Sequence, residues 1–293
     1  MVSKKEFLCL VIFFLYEVAV GQVASFPEPI ALTDSSKLIP VEKGQQKIYK
    51  LNLYADIPIT SVGIGCSAFC FPKIYSKDPS SIKDIENLDK ANVPAIDRWA
   101  AGKSDPNAAH VSDYFLYGSI PIPFALLFDR EIRNDAWKIG FMYLEAFSIT
   151  GFFYSGSVYL VDRYRPETYN TSIPVEKRVN GNYKDAFIGG HPSVVATATF
   201  FTAKVYSDYH PESGFKFVLY GFAVTATGTT VYLRHIAGKH FPTDLLAGVA
   251  VGTLSGLLVP QFHKNKISKN KSMSFIPYSN GKQYGFAMNY NIR

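Results

Sequence analysis

Six long apolar segments, separated by polar stretches, make up most of this 293-residue chain. Each segment is rich in the small and aromatic residues of packed helices, and residues 53–260 lack the apolar–polar alternation of a half-buried strand. The pattern therefore predicts an all-α helical bundle of about six core helices. The segments are residues 53–71, 114–128, 137–161, 191–205, 215–233 and 244–259.

The polar stretches predict the connections and the ends of this bundle. Residues 76–106 are expected to form a loop with one short helix at 80–88, and residues 206–214 a loop between two helices. After residue 272 the long apolar segments give way to two short runs of alternating apolar and polar residues, which flank Ser279-Asn280-Gly281. This arrangement predicts a small C-terminal β-hairpin from residues 273–277 and 284–291.

The first residues have the pattern of an export signal. Lys4 and Lys5 precede an apolar run at residues 7–20, and Ala19-Val20-Gly21 offers small residues before a cleavage point. We predict a signal peptide over residues 1–21; an uncleaved anchor is the alternative, although the run is short for a membrane span.

Charge and hydropathy limit the partners of the chain. The formal net charge is +6, much of it in a basic tail at residues 264–271, and nothing in the sequence indicates nucleic-acid binding. The tail is either a solvated linker or a contact with anionic lipid. Mean hydropathy near zero leaves open a membrane-spanning or a soluble bundle; we expect membrane contact.

The most informative stretch surrounds Arg234, His240 and Asp244. Pro242 suits the first turn of a helix, which would place Asp244 one turn above His240 on the same face. A carboxylate there can fix the imidazole tautomer and leave the other nitrogen as nucleophile or base. Arg234 supplies a cation suited to an oxyanion such as phosphate. The alternative is a structural His–Asp pair that caps the helix.

A second stretch, Gly189-Gly190-His191-Pro192, leads into the fourth apolar segment. Two glycines let backbone N–H groups approach a ligand, and Pro192 marks a helix start whose dipole favours an anion. His191 would stand beside that anion site as a proton donor. The alternative is a glycine turn before a core helix.

A third stretch, Arg165-Pro166, follows the third apolar segment. By itself it could be a basic flank of that segment.

In this order the three stretches resemble the motifs of the type 2 phosphatidic acid phosphatase superfamily, which also includes bacterial acid phosphatases and vanadium haloperoxidases. The resemblance covers residues 137–260 and departs from the family pattern in three places. Val158 stands where the family has Lys, Ile188-Gly189 replaces Pro-Ser, and Leu233 replaces the Ser before Arg234. Arg163, Lys177, Arg178 or Lys184 could supply the missing charge.

The resemblance implies a metal-independent phosphatase that hydrolyses a phosphate monoester, in particular one linked to a lipid. His240 would form a phosphohistidine, with Asp244 fixing its tautomer and His191 protonating the leaving group. Arg165, Arg234 and the N–H groups of Gly189 and Gly190 would bind the phosphate oxygens. No metal and no cofactor are expected in this reaction, and the partner is the phosphate-ester substrate itself, such as a phospholipid.

Two other functions remain open at this point: a vanadate-dependent haloperoxidase, and a catalytically impaired envelope protein that keeps the fold. In each case we expect an exported, periplasmic or cell-envelope protein whose site faces outward.

The sequence is expected to divide into four regions. They are a signal peptide (1–21), an N-terminal helical and loop region (22–112), a catalytic bundle (113–262) and a basic linker with the hairpin (263–293).

Overall fold

The computed structural model describes residues 47–265, together with the backbone of segments 273–279 and 284–290. Residues 47–265 are all-α and contain ten α-helices. Six of these are long, as predicted. In chain order the helices are α1 Leu53–Tyr75, α2 Ile82–Glu86, α3 Ala95–Arg98, α4 Pro106–Ser119, α5 Arg130–Arg133, α6 Ala136–Leu160, α7 Val175–Arg178, α8 Gly190–Tyr209, α9 Phe215–Ile236 and α10 Pro242–His263. Short 3-10 segments lie at Lys90–Asn92, Ile122–Phe128, Pro166–Tyr169 and Gly181–Lys184.

Several features differ from the sequence expectation. Residues 76–106 contain two short helices, α2 and α3, where one was expected. The second half of the predicted segment 114–128 is not α-helical, because α4 ends at Ser119 and Ile122–Phe128 forms a 3-10 segment. Two helix boundaries also differ. Helix α4 begins eight residues before position 114, because Asp105 accepts the N–H groups of Asn107 and Ala108 at 2.9 and 3.1 Å and caps the helix. It therefore crosses the 112/113 boundary at which we had separated two regions. Helix α8 continues to Tyr209, which shortens the connection to α9 to residues 210–214.

The two ends of the chain add little to the description of the bundle. Segments Met273–Ser279 and Tyr284–Tyr290 have the backbone of two antiparallel strands, β1 and β2. Their side chains lie outside the described residues, and residues 47–265 contain no β-strand. The C-terminal hairpin therefore stays a prediction. The predicted signal peptide, residues 1–21, also lies outside the described residues.

Helices α8 and α10 pack backbone to backbone through a stripe of glycines on α10. A methyl group added at Gly248 would lie 2.3 Å from the carbonyl oxygen of Gly189, and one at Gly252 would lie 2.1 Å from that of Ser193. Gly256 meets α8 in the same way one turn later. Small residues four apart allow this close approach. It places the N-terminal ends of α8 and α10 side by side.

Three elements are long and apolar enough to cross a membrane: α1, the stretch Pro106–Phe128, and α10. Large apolar side chains on these elements are exposed, among them Tyr54 at 97% and Phe128 at 89%. Apolar surface of this kind is suited to lipid, and together with the three helices it suggests a membrane protein.

The glycine stripe leads to a stability prediction. We expect Gly252→Ala to destabilise the protein by about 1–3 kcal/mol, because its methyl group cannot be accommodated without moving α8 away from α10. Gly221→Ala on α9 is the matched control: nothing lies within 4 Å of its added methyl, and alanine favours a helix. Thermal unfolding of the purified variants measures the difference. Equal unfolding midpoints for both variants would contradict this packing.

Candidate active site

The structure brings the predicted site residues together at one end of the bundle. Arg165 follows α6, His191 is the second residue of α8, Arg234 lies in the last turn of α9, and His240 precedes α10. Both arginines lie close enough to shift the pKa values of both histidines. The three sequence motifs therefore form one site.

His240 is buried and is held through one ring nitrogen. Its Nδ1–H donates to the carbonyl oxygen of Ala186 at 2.7 Å, which leaves Nε2 as the nitrogen with the free lone pair. Burial, reinforced by Arg234 and Arg165, holds the pKa of His240 well below its usual value. The side chain is therefore a neutral imidazole with Nε2 available as a nucleophile.

The expected contact between Asp244 and His240 is wrong in this structure, because the Ala186 carbonyl takes the ring N–H. The Asp244 carboxylate instead accepts the backbone N–H of Phe241 at 2.8 Å and caps α10. It also pairs with Arg163, whose other guanidinium nitrogen binds Asp97 at 2.7 Å. Asp244 therefore supports the loop that carries His240, and this matches the alternative interpretation of a structural helix cap.

Arg234 is a buried cation that lacks a matching carboxylate. It is 6% exposed, its NH1 donates to the Ser112 hydroxyl at 3.3 Å, and its Nε has no hydrogen-bond partner among residues 47–265. No carboxylate in that range lies within ion-pair distance of it. A buried guanidinium with free donors is costly unless an anion binds it.

Arg165 differs from Arg234 because it is already ion-paired. Its Nε donates to Asp185 at 2.5 Å, and its NH1 lies 3.5 Å from Glu167. The side chain is thereby fixed in orientation and keeps guanidinium N–H groups beyond those two contacts. Arg165 can therefore contribute to an oxyanion site as an oriented, partly neutralised cation.

The two glycines before His191 serve different purposes. The N–H of Gly189 donates to the carbonyl oxygen of Asp244 at 2.9 Å, so it is engaged within the protein and is not free for phosphate as we had expected. Gly190 begins α8 and packs against Tyr154, whose ring would lie 2.6 Å from an added methyl group. Its N–H belongs to the first helical turn, where intrahelical partners are lacking. Gly190 thus remains suited to an anion.

His191 has a partner that the sequence did not indicate. Its Nε2 lies 2.7 Å from the carboxylate of Asp113, in the middle of α4. Burial and the nearby Arg234 nevertheless lower the pKa of His191 to about 4, with Asp113 opposing the shift. Asp113 and Ser112 stand in no motif, and only the packing of α4 against α8 and α9 brings them to the site.

The charge that the family's Lys would provide is missing at its own position, since Val158 is fully buried on α6. Arg163 is held by two carboxylates, and Arg178 donates to backbone carbonyls at 3.0 and 3.1 Å. Lys177 is exposed on α7. Arg163, Lys177 and Arg178 therefore do not supply the missing charge to the site. The described structure also shows no side-chain contact between Lys184 and the site.

Lys239 is a cation at the site that the sequence analysis missed. Burial lowers the pKa of Lys239, and the nearby Arg165 and Arg234 add to this effect. Its ammonium group donates to both oxygens of Glu167 at 2.8 Å, so Glu167 joins Lys239 to Arg165. The sequence signal that could have identified Lys239 is its position directly before His240.

Comparison with known families identifies the domain. Residues 138–268 match the PAP2 superfamily. This chain therefore contains a PAP2 superfamily domain. No curated protein and no solved structure matched. The PAP2 domain includes each predicted site residue but not Ser112 and Asp113, which α4 adds from outside it. The matched domain suggests a phosphatase-type activity and, in general, phosphate-ester substrates.

The observed position of Asp244 leads to a test with a matched partner. Because Asp244 and Asp97 both act on Arg163, we expect Asp244→Asn and Asp97→Asn to lower kcat and the unfolding midpoint by similar amounts. If Asp244 fixed the tautomer of His240 directly, Asp244→Asn alone would lower kcat by roughly 10⁴-fold, as in a catalytic triad. Kinetics and thermal unfolding of both variants distinguish the two.

Proposed function

We propose that this protein is a phosphatase that hydrolyses a lipid-linked phosphate monoester through a phosphohistidine on His240. The observation that carries the proposal is the pairing of a neutral, buried imidazole with Arg234, a buried guanidinium that lacks an ion partner among the described residues. A tetrahedral dianion satisfies both groups at once, because it offers oxygens to Arg234 and phosphorus to His240 Nε2.

The proposed reaction has two chemical steps, and the first uses both histidines. Nε2 of His240 attacks phosphorus, the bond from phosphorus to the leaving oxygen breaks, and His191 gives its proton to that oxygen. Arg165, Arg234 and the N–H of Gly190 hold the three phosphate oxygens as charge moves across them. In the second step His191 takes a proton from water, whose oxygen attacks the phosphohistidine and releases phosphate and free His240.

Substrate binding prepares His191 for the acid role. In the free protein its pKa is lowered to about 4 by burial and by Arg234 and Arg165, so the ring is neutral near pH 7. A bound phosphate dianion offsets both arginine charges, which raises the pKa of His191 and favours protonation. Asp113, 2.7 Å from Nε2, stabilises the protonated ring.

Lys239 replaces the missing family Lys in this proposal. It is partly buried near Arg165 and Arg234, and Glu167 holds it in place. An arriving phosphate competes with Glu167 for the ammonium group, so the site carries a third cation without needing one at Val158. The departure from the family motif is therefore compatible with activity.

A groove beside His191 supports a lipid-linked substrate. It has a volume of about 560 Å³ and lies between α1, α4, α6 and α8. Its walls are largely apolar, with Ile64, Phe71, Leu116, Leu144 and Phe147 among them, and His191 and Gly190 line one end. Because His191 protonates the leaving group, the organic part of the ester lies on this side.

We further propose that the mature protein is exported and acts in the cell envelope with this site facing outward. The basic start, the apolar run at residues 7–20 and the small residues before Gln22 support this, together with three possible spans. N-terminal sequencing of the mature protein tests it, because an intact Met1 would contradict cleavage.

Two histidine variants test the mechanism through the leaving group. We expect His240→Ala to abolish turnover of every substrate. His191→Ala should slow an alkyl phosphate by about 10²–10⁴-fold but an activated aryl phosphate far less, because a good leaving oxygen needs little protonation. His110→Ala, on an exposed position of α4, is the control. Phosphate release from both esters is measured, and full activity in His240→Ala would refute the proposal.

A further inference from the structure

Three buried ionisable side chains meet at the other end of the bundle from His240. Asp56 on α1, Glu145 on α6 and His263 at the end of α10 are 4%, 2% and 6% exposed. Helix α10 begins beside the active site and ends at His263, and its 22 residues span about 30 Å. This cluster is therefore separate from the chemistry described above.

The imidazole of His263 is oriented toward the two carboxylates. Its Nδ1–H donates to the carbonyl oxygen of Val259 at 2.8 Å, which points Nε2 at the carboxylates. Nε2 lies 3.1 Å from Asp56 Oδ2 and 3.5 Å from Glu145 Oε2. An outer N–H bonded to a backbone carbonyl is the usual arrangement of a metal-binding histidine.

The cluster has more negative charge and fewer donors than it needs. Asp56 Oδ2 accepts the backbone N–H of Asn52 at 2.7 Å, but Glu145 Oε2 is buried without a hydrogen bond from any described residue. With both carboxylates ionised, a proton on His263 would still leave a net charge of −1 in the interior. A divalent cation neutralises both carboxylates and gives Glu145 the partner that it lacks.

We propose that Asp56, Glu145 and His263 bind a divalent transition-metal ion of the zinc class. Metal bonds of about 2.0–2.2 Å around a tetrahedral ion place neighbouring ligand atoms about 3.3–3.6 Å apart. The two distances from His263 Nε2, 3.1 and 3.5 Å, lie close to this interval. One ligand atom from each residue lies within 4.8 Å of the other two. Small side-chain movements therefore complete the coordination.

A cavity beside the cluster provides the remaining coordination position. It has a volume of about 360 Å³, and Glu145, His263 and Ser255 are the polar side chains on its wall. Water in this cavity can occupy a fourth position around an ion bound by three protein ligands. The ion would tie α1, α6 and α10 together far from the phosphate site, so its role is structural.

Metal content of the purified full-length chain tests this proposal. After loading with zinc and desalting, we expect about one zinc per chain in the wild type and a rise of its unfolding midpoint by at least ~2–4 °C. Glu145→Gln and His263→Gln should each weaken zinc binding by at least about 10-fold. His210→Gln is the matched control, because His210 contacts one carboxylate, that of Asp129, at 2.9 Å.

Cobalt binding to the wild type provides a second measurement, which stays informative even if the substituted proteins fail to fold. Cobalt added to the metal-free wild type should give visible absorption bands that zinc abolishes by competition. A wild type that retains no zinc and gives no such bands overturns the proposal. So does zinc binding of unchanged affinity in a folded Glu145→Gln variant, or an equal loss in His210→Gln.

Discussion

The close contact between α8 and α10 is the constraint on which the rest of this structure depends. Gly248 and Gly252 let the backbones approach until a single added methyl group would collide with the carbonyl oxygens of α8. That approach fixes the start of α8, with His191, beside the start of α10, which follows His240. The same helix carries His263 to the far end of the bundle, so one packed pair positions both the phosphate site and the proposed metal site.

Electrostatic imbalance is the basis of the proposed phosphate site. The other cations near it are paired within the protein: Arg163 with two aspartates, and Arg165 and Lys239 through Glu167. Arg234 is the exception among the described residues, and its cost is recovered when an anion binds. The opposite imbalance, an excess of carboxylate around His263, underlies the metal proposal. In both places the proposed ligand would supply the charge that the described residues leave unmatched.

The sequence predicted those features that depend on local pattern. Five of the six apolar segments became long helices over nearly the predicted ranges, whereas the segment 114–128 contains only the end of α4 and a 3-10 segment. The order of the motifs correctly predicted that Arg165, His191, Arg234 and His240 lie at one end of the bundle. Spacing alone could not show which groups pair across helices. The spacing allowed Asp244 to accept the ring N–H of His240, but the carbonyl oxygen of Ala186 accepts it instead. Asp113 reaches His191, and the residues around His263 come together, only because segments distant in the chain pack against each other.

The central claim is that His240 becomes phosphorylated during turnover, and trapping that intermediate tests it most directly. Brief mixing with an activated aryl phosphate followed by an alkaline quench should preserve a phosphohistidine, because the phosphoramidate bond is stable to base and labile to acid. The account predicts that mass spectrometry finds one phosphate on the peptide containing His240, and none in His240→Ala. Phosphate on another residue, or rapid turnover with none trapped under conditions where the intermediate should accumulate, would contradict it.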